Sequence, residues 1–279
     1  MKVPRSRGSN VDMARMKNWL DDFYGYRHSV AESRIDRWLN QFDREHRDLA
    51  ARTLDCVDFI TNEQITKAFQ SVLGSLPGWS KDERHRHGNW RFVAFSVSAG
   101  ESGDTMLAQF RLANGLDKKK YNHLFVHKSE LLRQGLGPED TVVFVDDFAG
   151  TGNQACNAWN ENIQELLPEG PGIFLVYVAA SAAARKRITE ETEITVAPHI
   201  ELIEPDNIFS HKCTHFTKAE KETLLSYCRK ADRANPRGYG SCGFVIVFAH
   251  RCPNNSIPIL HADHKAWHGL FRRHDFLQS

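Results

Sequence analysis

The chain has 279 residues, 41% hydrophobic and 25% charged, which is ordinary for a globular protein and long enough for a sizeable core. Lysine and arginine number 36 against 35 acidic residues, so no overall charge favours nucleic acid or a membrane surface. The six cysteines lack zinc-ribbon spacing and nothing resembles a secretory signal, so we expect a reduced, cytoplasmic protein. No apolar run approaches the roughly 20 residues of a membrane span, so we expect no membrane partner.

The first predicted module is helical. Apolar residues recur at spacings of three and four from about residue 13 to residue 75, which predicts three or four amphipathic helices. We assign residues 1–78 to an N-terminal helical subdomain. Two interpretations are open: the helices pack on the rest of the protein, or they dock a partner protein or nucleic acid.

A strand predicted at residues 90–97 leads into a loop of small residues and then a helix from about residue 105. The backbone of such a strand-to-helix turn can approach an anion closely. The loop consists of Ser98, Ala99, Gly100, Glu101, Ser102 and Gly103. A basic run follows at Lys118, Lys119 and Lys120, either as a flap over a bound anion or as a solvated loop.

Residues 141–154 are the most informative stretch. Residues 141–145 are β-branched or aromatic and predict a strand buried on both faces. Asp146 and Asp147 follow, where carboxylates at the end of a parallel strand suit vicinal hydroxyls or a hydrated divalent cation. The loop that follows precedes a helix and suits a phosphate. Carboxylates for the hydroxyls and a loop for the phosphate together predict a ribose 5-phosphate site. The alternative is a structural, Asp-rich turn.

The predicted phosphate-binding residues are Phe148, Ala149, Gly150, Thr151, Gly152, Asn153 and Gln154. Their glycine spacing differs from that of a Walker loop or a dinucleotide fingerprint, and no lysine follows.

Further strands are predicted at 172–180, 193–196 and 199–203. Strands that alternate with crossover segments predict an α/β fold with a doubly wound, mainly parallel sheet covered on both faces. We assign residues 79–204 to this core.

The last third of the chain has a different pattern. A helix is predicted at 218–231, and a strand at 243–249 precedes a turn with Asn254 and Asn255. We assign residues 205–279 to a C-terminal α+β extension packed on the core. The two asparagines either stabilise the turn or contact the edge of a base.

Two histidine patterns have spacings that could suit a metal, but neither has a fourth ligand at standard zinc spacing. They are His211, Cys213 and His215, and His261, His264 and His268 with Asp263.

Three segments together resemble the PRTase-CE group, which comprises phosphoribosyltransferase-like proteins of prokaryotic conflict systems. They are Trp38-Leu39-Asn40-Gln41-Phe42, the stretch 144–152, and the tail 253–260 with Trp267 and Phe271. The stretch 144–152 also resembles the ribose-phosphate signature of type I phosphoribosyltransferases, with Thr151 four positions beyond the second acid. The resemblance implies the type I fold and an effector or accessory role in anti-phage defence.

The resemblance also implies a ligand, a cofactor and a reaction. Asp146 and Asp147 would hold the ribose 2- and 3-hydroxyls with Mg²⁺ nearby, and residues 150–152 would hold the 5-phosphate of phosphoribosyl diphosphate or a nucleotide. Residues 98–103 would form the pyrophosphate loop, and Lys118–Lys120 would fold over the diphosphate. Glycosyl transfer would occur at the anomeric carbon.

Four residues depart from the family pattern or oppose its ligand. Asn153 replaces a common glycine and Gln154 a hydroxyl residue, while Glu101 and Asp104 add negative charge beside the expected diphosphate. Two alternatives are therefore open: a non-catalytic nucleotide sensor that signals to a partner through the N-terminal helices, and a nucleosidase that cleaves the base from a nucleotide.

Overall fold

The computed structural model of the protein describes residues 13–96, 102–168 and 170–273. The α-helices in these ranges are α1 (Met13–Asp22), α2 (Glu32–Leu39), α3 (Arg47–Asp55), α4 (Asn62–Ser75), α5 (Ser102–Ala113), α6 (Asn153–Ala158), α7 (Gln164–Leu166), α8 (Ala182–Glu191) and α9 (Lys218–Ala231). The β-strands are β1 (Asp58–Ile60), β2 (Trp90–Ala94), β3 (Thr141–Ala149), β4 (Gly172–Ser181), β5 (Thr195–Leu202), β6 (Ile246–Phe248), β7 (Asp263–His264) and β8 (Trp267–His268). Within the described ranges, no helix combines the length and apolar character needed to cross a bilayer.

The chain forms two compact units. Unit 1 contains the described residues up to Asn62 and those from Ile203 onward, and unit 2 contains Glu63–Leu202. The boundaries predicted from the sequence, after residues 78 and 204, differ from these. In the structure α4 belongs with the sheet, and the C-terminal segment shares a unit with α1–α3. The packing of residues 205–279 on the core stays a prediction.

Unit 1 brings together segments that are distant in the sequence. Strand β1 pairs in parallel with β6, so that Asp58 lies opposite Ile246. The indole Nε1 of Trp38 donates to the Ile259 carbonyl at 2.7 Å, and that of Trp267 donates to the same oxygen at 3.0 Å. Buried indole N–H groups need an acceptor, so one carbonyl holds both ends of the chain in a shared core.

The sheet of unit 2 confirms the predicted α/β class with parallel strands. Its four described strands lie in the order β2-β3-β4-β5, and all adjacent pairs are parallel. Side chains alternate along a strand, so apolar residues project from both faces of the sheet. Helices cover both of these faces. On one face Phe92 contacts Phe110 of α5, with ring centroids 5.1 Å apart. On the other face Val93 and Phe144 share a core with residues of α6 and α8.

Strand β5 differs from its prediction. It runs without interruption from Thr195 to Leu202, although two shorter strands were expected around Pro198. Because β5 is the last strand of the four-stranded sheet, a proline can be accommodated where its missing N–H faces away from β4.

Candidate functional site

The two acidic residues lie inside strand β3, not beyond its end as expected. The strand continues to Ala149, and Asp146 and Asp147 are only 3% and 8% exposed. The predicted burial of the strand on both faces is observed along residues 141–147. Asp146 lies opposite Tyr177 of β4 in the parallel register. The carboxylates are therefore held by a central strand, which makes their positions rigid.

Ser102, the first residue of α5, links the two carboxyl groups. Its Oγ lies 2.9 Å from Asp146 Oδ1 and 3.2 Å from Asp147 Oδ1. A hydroxyl has one proton and can donate it to only one of them. The other contact becomes a hydrogen bond when the second carboxyl is protonated and donates to Ser102 Oγ. The geometry thus suits a pair that shares one extra proton.

The electrostatics of Asp146 agree with this arrangement. Burial raises its pKa well above the usual range, and the neighbouring charge of Asp147 raises it further. Burial also raises the pKa of Tyr177, and both carboxylates contribute to that increase. The uncharged forms of Asp146 and Tyr177 are therefore favoured in this part of the core. A bound cation would reverse the preference at Asp146.

The candidate pyrophosphate loop is only partly within the described residues. Ser98, Ala99, Gly100 and Glu101 lie outside them. Ser102 and Gly103 begin α5, and a Cβ on Gly103 would lie 2.4 Å from the Phe95 carbonyl oxygen. Only glycine lets the start of α5 approach the end of β2 this closely. This approach places Ser102 against the acid pair.

The predicted phosphate-binding residues form a continuous turn between β3 and α6. Phe148 and Ala149 end the strand, residues 150–152 form the turn, and Asn153 and Gln154 begin α6. Gly152 has a φ of +77°, and a Cβ there would lie 3.1 Å from Ile188 Cγ1. The Asn153 N–H donates to Thr151 Oγ1 at 3.3 Å. The turn is thus compact and packed against α8.

Sequence reasoning missed two residues that contact this turn. Ser181, buried at the end of β4, donates to the Gly150 carbonyl at 2.7 Å and accepts from the Ala184 N–H. Arg187 of α8 donates to Asn153 Oδ1 and pairs with Glu191 at 2.8 Å. Serine before a helix signals a cap and could have been noticed. The approach of Arg187 depends on how α8 packs on α6, which no local pattern shows.

The three lysines of the candidate flap lie in an ordered turn. Lys118 precedes a 3₁₀ helix at Lys119–Leu124, and all three lysines are exposed. The turn is anchored by buried residues on both sides, Leu116 and Tyr121. Lys120 Nζ lies over the Tyr121 ring, 4.7 Å from its centroid. Movement of the lysines toward a diphosphate stays a prediction.

The candidate base-side residues belong to unit 1. Asn255 is buried, and its Nδ2 donates to the Tyr239 carbonyl at 3.1 Å. The carbonyl of Asn254 accepts from the Tyr239 N–H at 2.8 Å, while its side chain is exposed. These bonds favour the structural interpretation for Asn255. A base contact for Asn254 stays a prediction.

Among the described residues there is no group of three or more His, Cys, Asp or Glu side chains arranged to hold a metal ion, and neither histidine pattern forms one.

Comparison with known proteins identifies the family. The PRTase-CE family model matches residues 35–273, a range that includes the acid pair, the glycine turn and all three segments on which the resemblance was based. The comparison with curated proteins gives no match. The chain belongs to the PRTase-CE family and is phosphoribosyltransferase-like.

Proposed function

We propose that unit 2 binds the ribose 5-phosphate group of phosphoribosyl diphosphate or a nucleotide, with Mg²⁺, and catalyses displacement at the ribose anomeric carbon. One observation carries the proposal: a serine hydroxyl joins two buried carboxylates on a central parallel strand that leads directly into a tight glycine turn. Family membership supports a phosphoribosyltransferase-like protein, and in this proposal unit 2 has the type I fold.

Each part of the ligand has a matching group. With a cation bound, which favours the ionised form of Asp146, both carboxylates accept hydrogen bonds from the ribose 2- and 3-hydroxyls, because ionised carboxylates are acceptors only. The backbone N–H groups of residues 150–152 surround the 5-phosphate. Arg187, held against the turn by Asn153, brings a guanidinium group to the α8 side, where Glu191 also pairs with it. The sequence pattern alone offered no basic side chain for this phosphate.

The acid pair also fits Mg²⁺. Its donors are all oxygens, and Mg²⁺ typically binds one or two carboxylates and keeps several waters. Repulsion between Asp146 and Asp147, which contributes to the raised pKa of Asp146, is relieved when a divalent cation is close. When bound, the ion supplies charge neutralisation for the departing diphosphate.

No protein nucleophile is needed for the proposed reaction. The transition state at the anomeric carbon has oxocarbenium character, so developing positive charge on the ribose faces the carboxylates. The protein contributes orientation and electrostatic stabilisation, both of which depend on rigid placement of the charged groups. The hydrogen bonds of Ser102 and the sheet position of the pair provide that rigidity.

The test is to incubate the full chain with Mg²⁺ and labelled phosphoribosyl diphosphate or a nucleotide pool. We expect release of diphosphate or free base, and at least a hundredfold lower rate for Asp147→Asn with unchanged or higher thermal stability. Asp117→Asn, the same change at an exposed position of unit 2, is the matched control and should retain activity. A large loss of folding in Asp147→Asn would instead mean that the pair is structural.

The same experiment separates the alternatives. Base release without transfer to an acceptor indicates a nucleosidase. Tight binding of unchanged ligand, lost in Asp147→Asn, indicates a nucleotide sensor.

We further propose an effector or accessory role in bacterial anti-phage defence, in the cytoplasm, with a partner protein bound by the N-terminal helices. The resemblance to proteins of conflict systems supports this role. Loss of phage protection in Asp147→Asn is the corresponding readout in cells.

A further inference from the structure

Unit 1 contains a cavity that the proposed function does not use. Its volume is ≈ 270 Å³, and it lies between α2 with the residues just after it and the C-terminal segment around β8. The polar side chains lining it are Arg34, Arg37, Gln41, His268 and Arg272. Three guanidinium groups thus line one small cavity.

The Arg34 guanidinium has one satisfied nitrogen and two that lack partners. Its Nη1 donates to the carbonyls of His28 and Ser29 at 3.0 and 3.3 Å. Its Nε and Nη2 are buried and have no hydrogen-bond partner within the described part of the chain. Buried N–H groups of a cation are costly when they lack a partner, and in native proteins they are usually satisfied by an anion, a water or a ligand.

The Nε and Nη2 atoms of an arginine form the edge that holds two oxygens of one anion. Elsewhere in unit 1 Arg15 uses this edge, donating from Nε to Asp55 Oδ1 at 3.2 Å and from Nη2 to Asp55 Oδ2 at 2.6 Å. In Arg34 the same edge is unpartnered. Because these two atoms have almost no accessible surface, the Arg34 side chain must shift before this edge can hold two oxygens of an oxyanion in the cavity.

The charges around the cavity also favour an anion. The carboxylate of Asp263 contacts this cluster, with one oxygen 2.8 Å from Arg272 Nε and the other 2.9 Å from His268 Nδ1. Arg34 and Arg37 add two further guanidinium groups beside that pair. Burial lowers the pKa of Arg34, and repulsion from Arg272 lowers it further. A bound anion would relieve this repulsion.

We propose that the arginine cavity, defined by Arg34, Arg37 and Arg272, binds the phosphate group of a small phosphorylated molecule. Phosphate is favoured over carboxylate because it carries more charge and presents enough oxygens for several guanidinium groups at once. The cavity is just below the roughly 300–1,000 Å³ of typical ligand pockets, so it suits a compact molecule. This site is additional to the ribose-phosphate site of unit 2.

Two segments that lie outside the ribose-phosphate site meet at this cavity. Helix α2 ends in the segment 38–42 and the C-terminal segment contains Trp267, both of which carried the family resemblance. Gln41 Nε2 donates to the His268 carbonyl at 2.9 Å, and the His268 N–H donates to Gln41 Oε1 at 2.7 Å. This reciprocal pair holds the two walls of the arginine cavity together.

The test is calorimetric titration of the full chain with inorganic phosphate at constant ionic strength, with acetate as the carboxylate comparison. We expect saturable binding of phosphate that is tighter than that of acetate. Arg37→Gln should weaken it at least tenfold, because a charge-assisted hydrogen bond is lost. The matched control is Arg47→Gln, which removes the same charge from an exposed position of unit 1 and should leave the affinity unchanged.

Arg34→Gln should weaken binding more than Arg37→Gln. Because Arg34 also holds two backbone carbonyls, Arg37→Gln is the decisive variant: Arg37 is exposed, so we expect its replacement to leave the fold intact. No saturable phosphate binding, equal affinity for acetate, or equal losses in Arg37→Gln and Arg47→Gln would each overturn the proposal. None of these outcomes bears on Asp147→Asn, which tests the site in unit 2.

Discussion

Asp146 and Asp147 illustrate how single residues at this site differ from ordinary core residues. A buried, ionised carboxylate is unfavourable unless it is paired or hydrogen-bonded, and two neighbouring ones are more so. The chain limits this cost with the hydroxyl of Ser102 and with the preference of Asp146 for its protonated form. An unfavourable arrangement of this kind is typical of a site that stabilises charge on a ligand.

The raised pKa of Asp146 predicts how stability depends on pH. Because the pKa is higher in the folded than in the unfolded state, the folded protein holds this proton as pH rises above about 4. The stability contribution is complete below the unfolded pKa and is lost as pH rises through the folded pKa. Asparagine cannot ionise, so Asp146→Asn does not lose this contribution. The free energy of unfolding of the variant, relative to that of the wild type, should therefore rise with pH, by about 1.4 kcal/mol for each unit of pKa shift.

Urea unfolding between pH 4 and pH 8, without divalent cations, measures the effect for Asp146→Asn, the wild type and the exposed control Asp117→Asn. The control should follow the wild type. A stability difference between Asp146→Asn and the wild type that is the same at every pH would contradict the assignment of the raised pKa to this residue.

At the level of elements, local patterns predicted what depends on local chemistry. The hydrophobic run at 141–145 predicted a buried central strand, and the glycines at 150 and 152 predicted the turn that follows. The extension of β3 through both acids was not predicted, because burial of carboxylates is normally unfavourable and favours a loop. Ser102, which contacts both acids, belongs to helix α5, and this contact depends on tertiary packing.

The same distinction applies to unit 1. The apolar spacing in α2 predicted a helix with Ile35, Trp38 and Leu39 buried, which is observed. The shared acceptor of Trp38 and Trp267, the Ile259 carbonyl, joins residues more than two hundred positions apart. No periodicity in the sequence encodes such a contact. The arginine cavity was missed for this reason, since its cations come from both ends of the chain.

The turn after β3 can be tested through Gly152. Alanine there should cost about 1–2 kcal/mol for the left-handed backbone alone, with a further cost because its Cβ would lie 3.1 Å from Ile188 and 3.2 Å from the Ala184 carbonyl. Gly135 is a matched control, because its φ is +58° but nothing lies within 4 Å of an added Cβ. We therefore expect Gly152→Ala to be less stable than Gly135→Ala in urea unfolding, and to bind ribose 5-phosphate more weakly. Equal losses of stability would mean that the packing of the turn on α8 is unimportant.

At the scale of the whole molecule, the two units differ in how they are built from the chain. Unit 2 is one continuous segment with its own parallel sheet and core, and it contains Ser102, the acid pair and the glycine turn. Unit 1 is assembled from both ends of the chain, joined by the β1–β6 pair and by the two indoles on Ile259. The residues proposed to hold the ribose and its phosphate therefore lie in unit 2, and those of the arginine cavity lie in unit 1.

This division predicts that residues 63–202 fold as an isolated fragment and retain the ribose-phosphate site. The fragment 79–204, which the sequence alone suggested, lacks α4. Phe69 of α4 is fully buried against Phe110, with ring centroids 5.5 Å apart, and Gln70 Nε2 donates to the Ala113 carbonyl at 2.8 Å. Loss of a buried aromatic side chain typically costs 3–5 kcal/mol, so fragment 79–204 should be less stable by at least about 3 kcal/mol. Urea unfolding followed by circular dichroism compares the two fragments, and calorimetry with ribose 5-phosphate and Mg²⁺ tests the site in the longer one. Equal urea midpoints for the two fragments would mean that α4 does not stabilise the sheet and belongs with the N-terminal helices, as the sequence pattern had indicated.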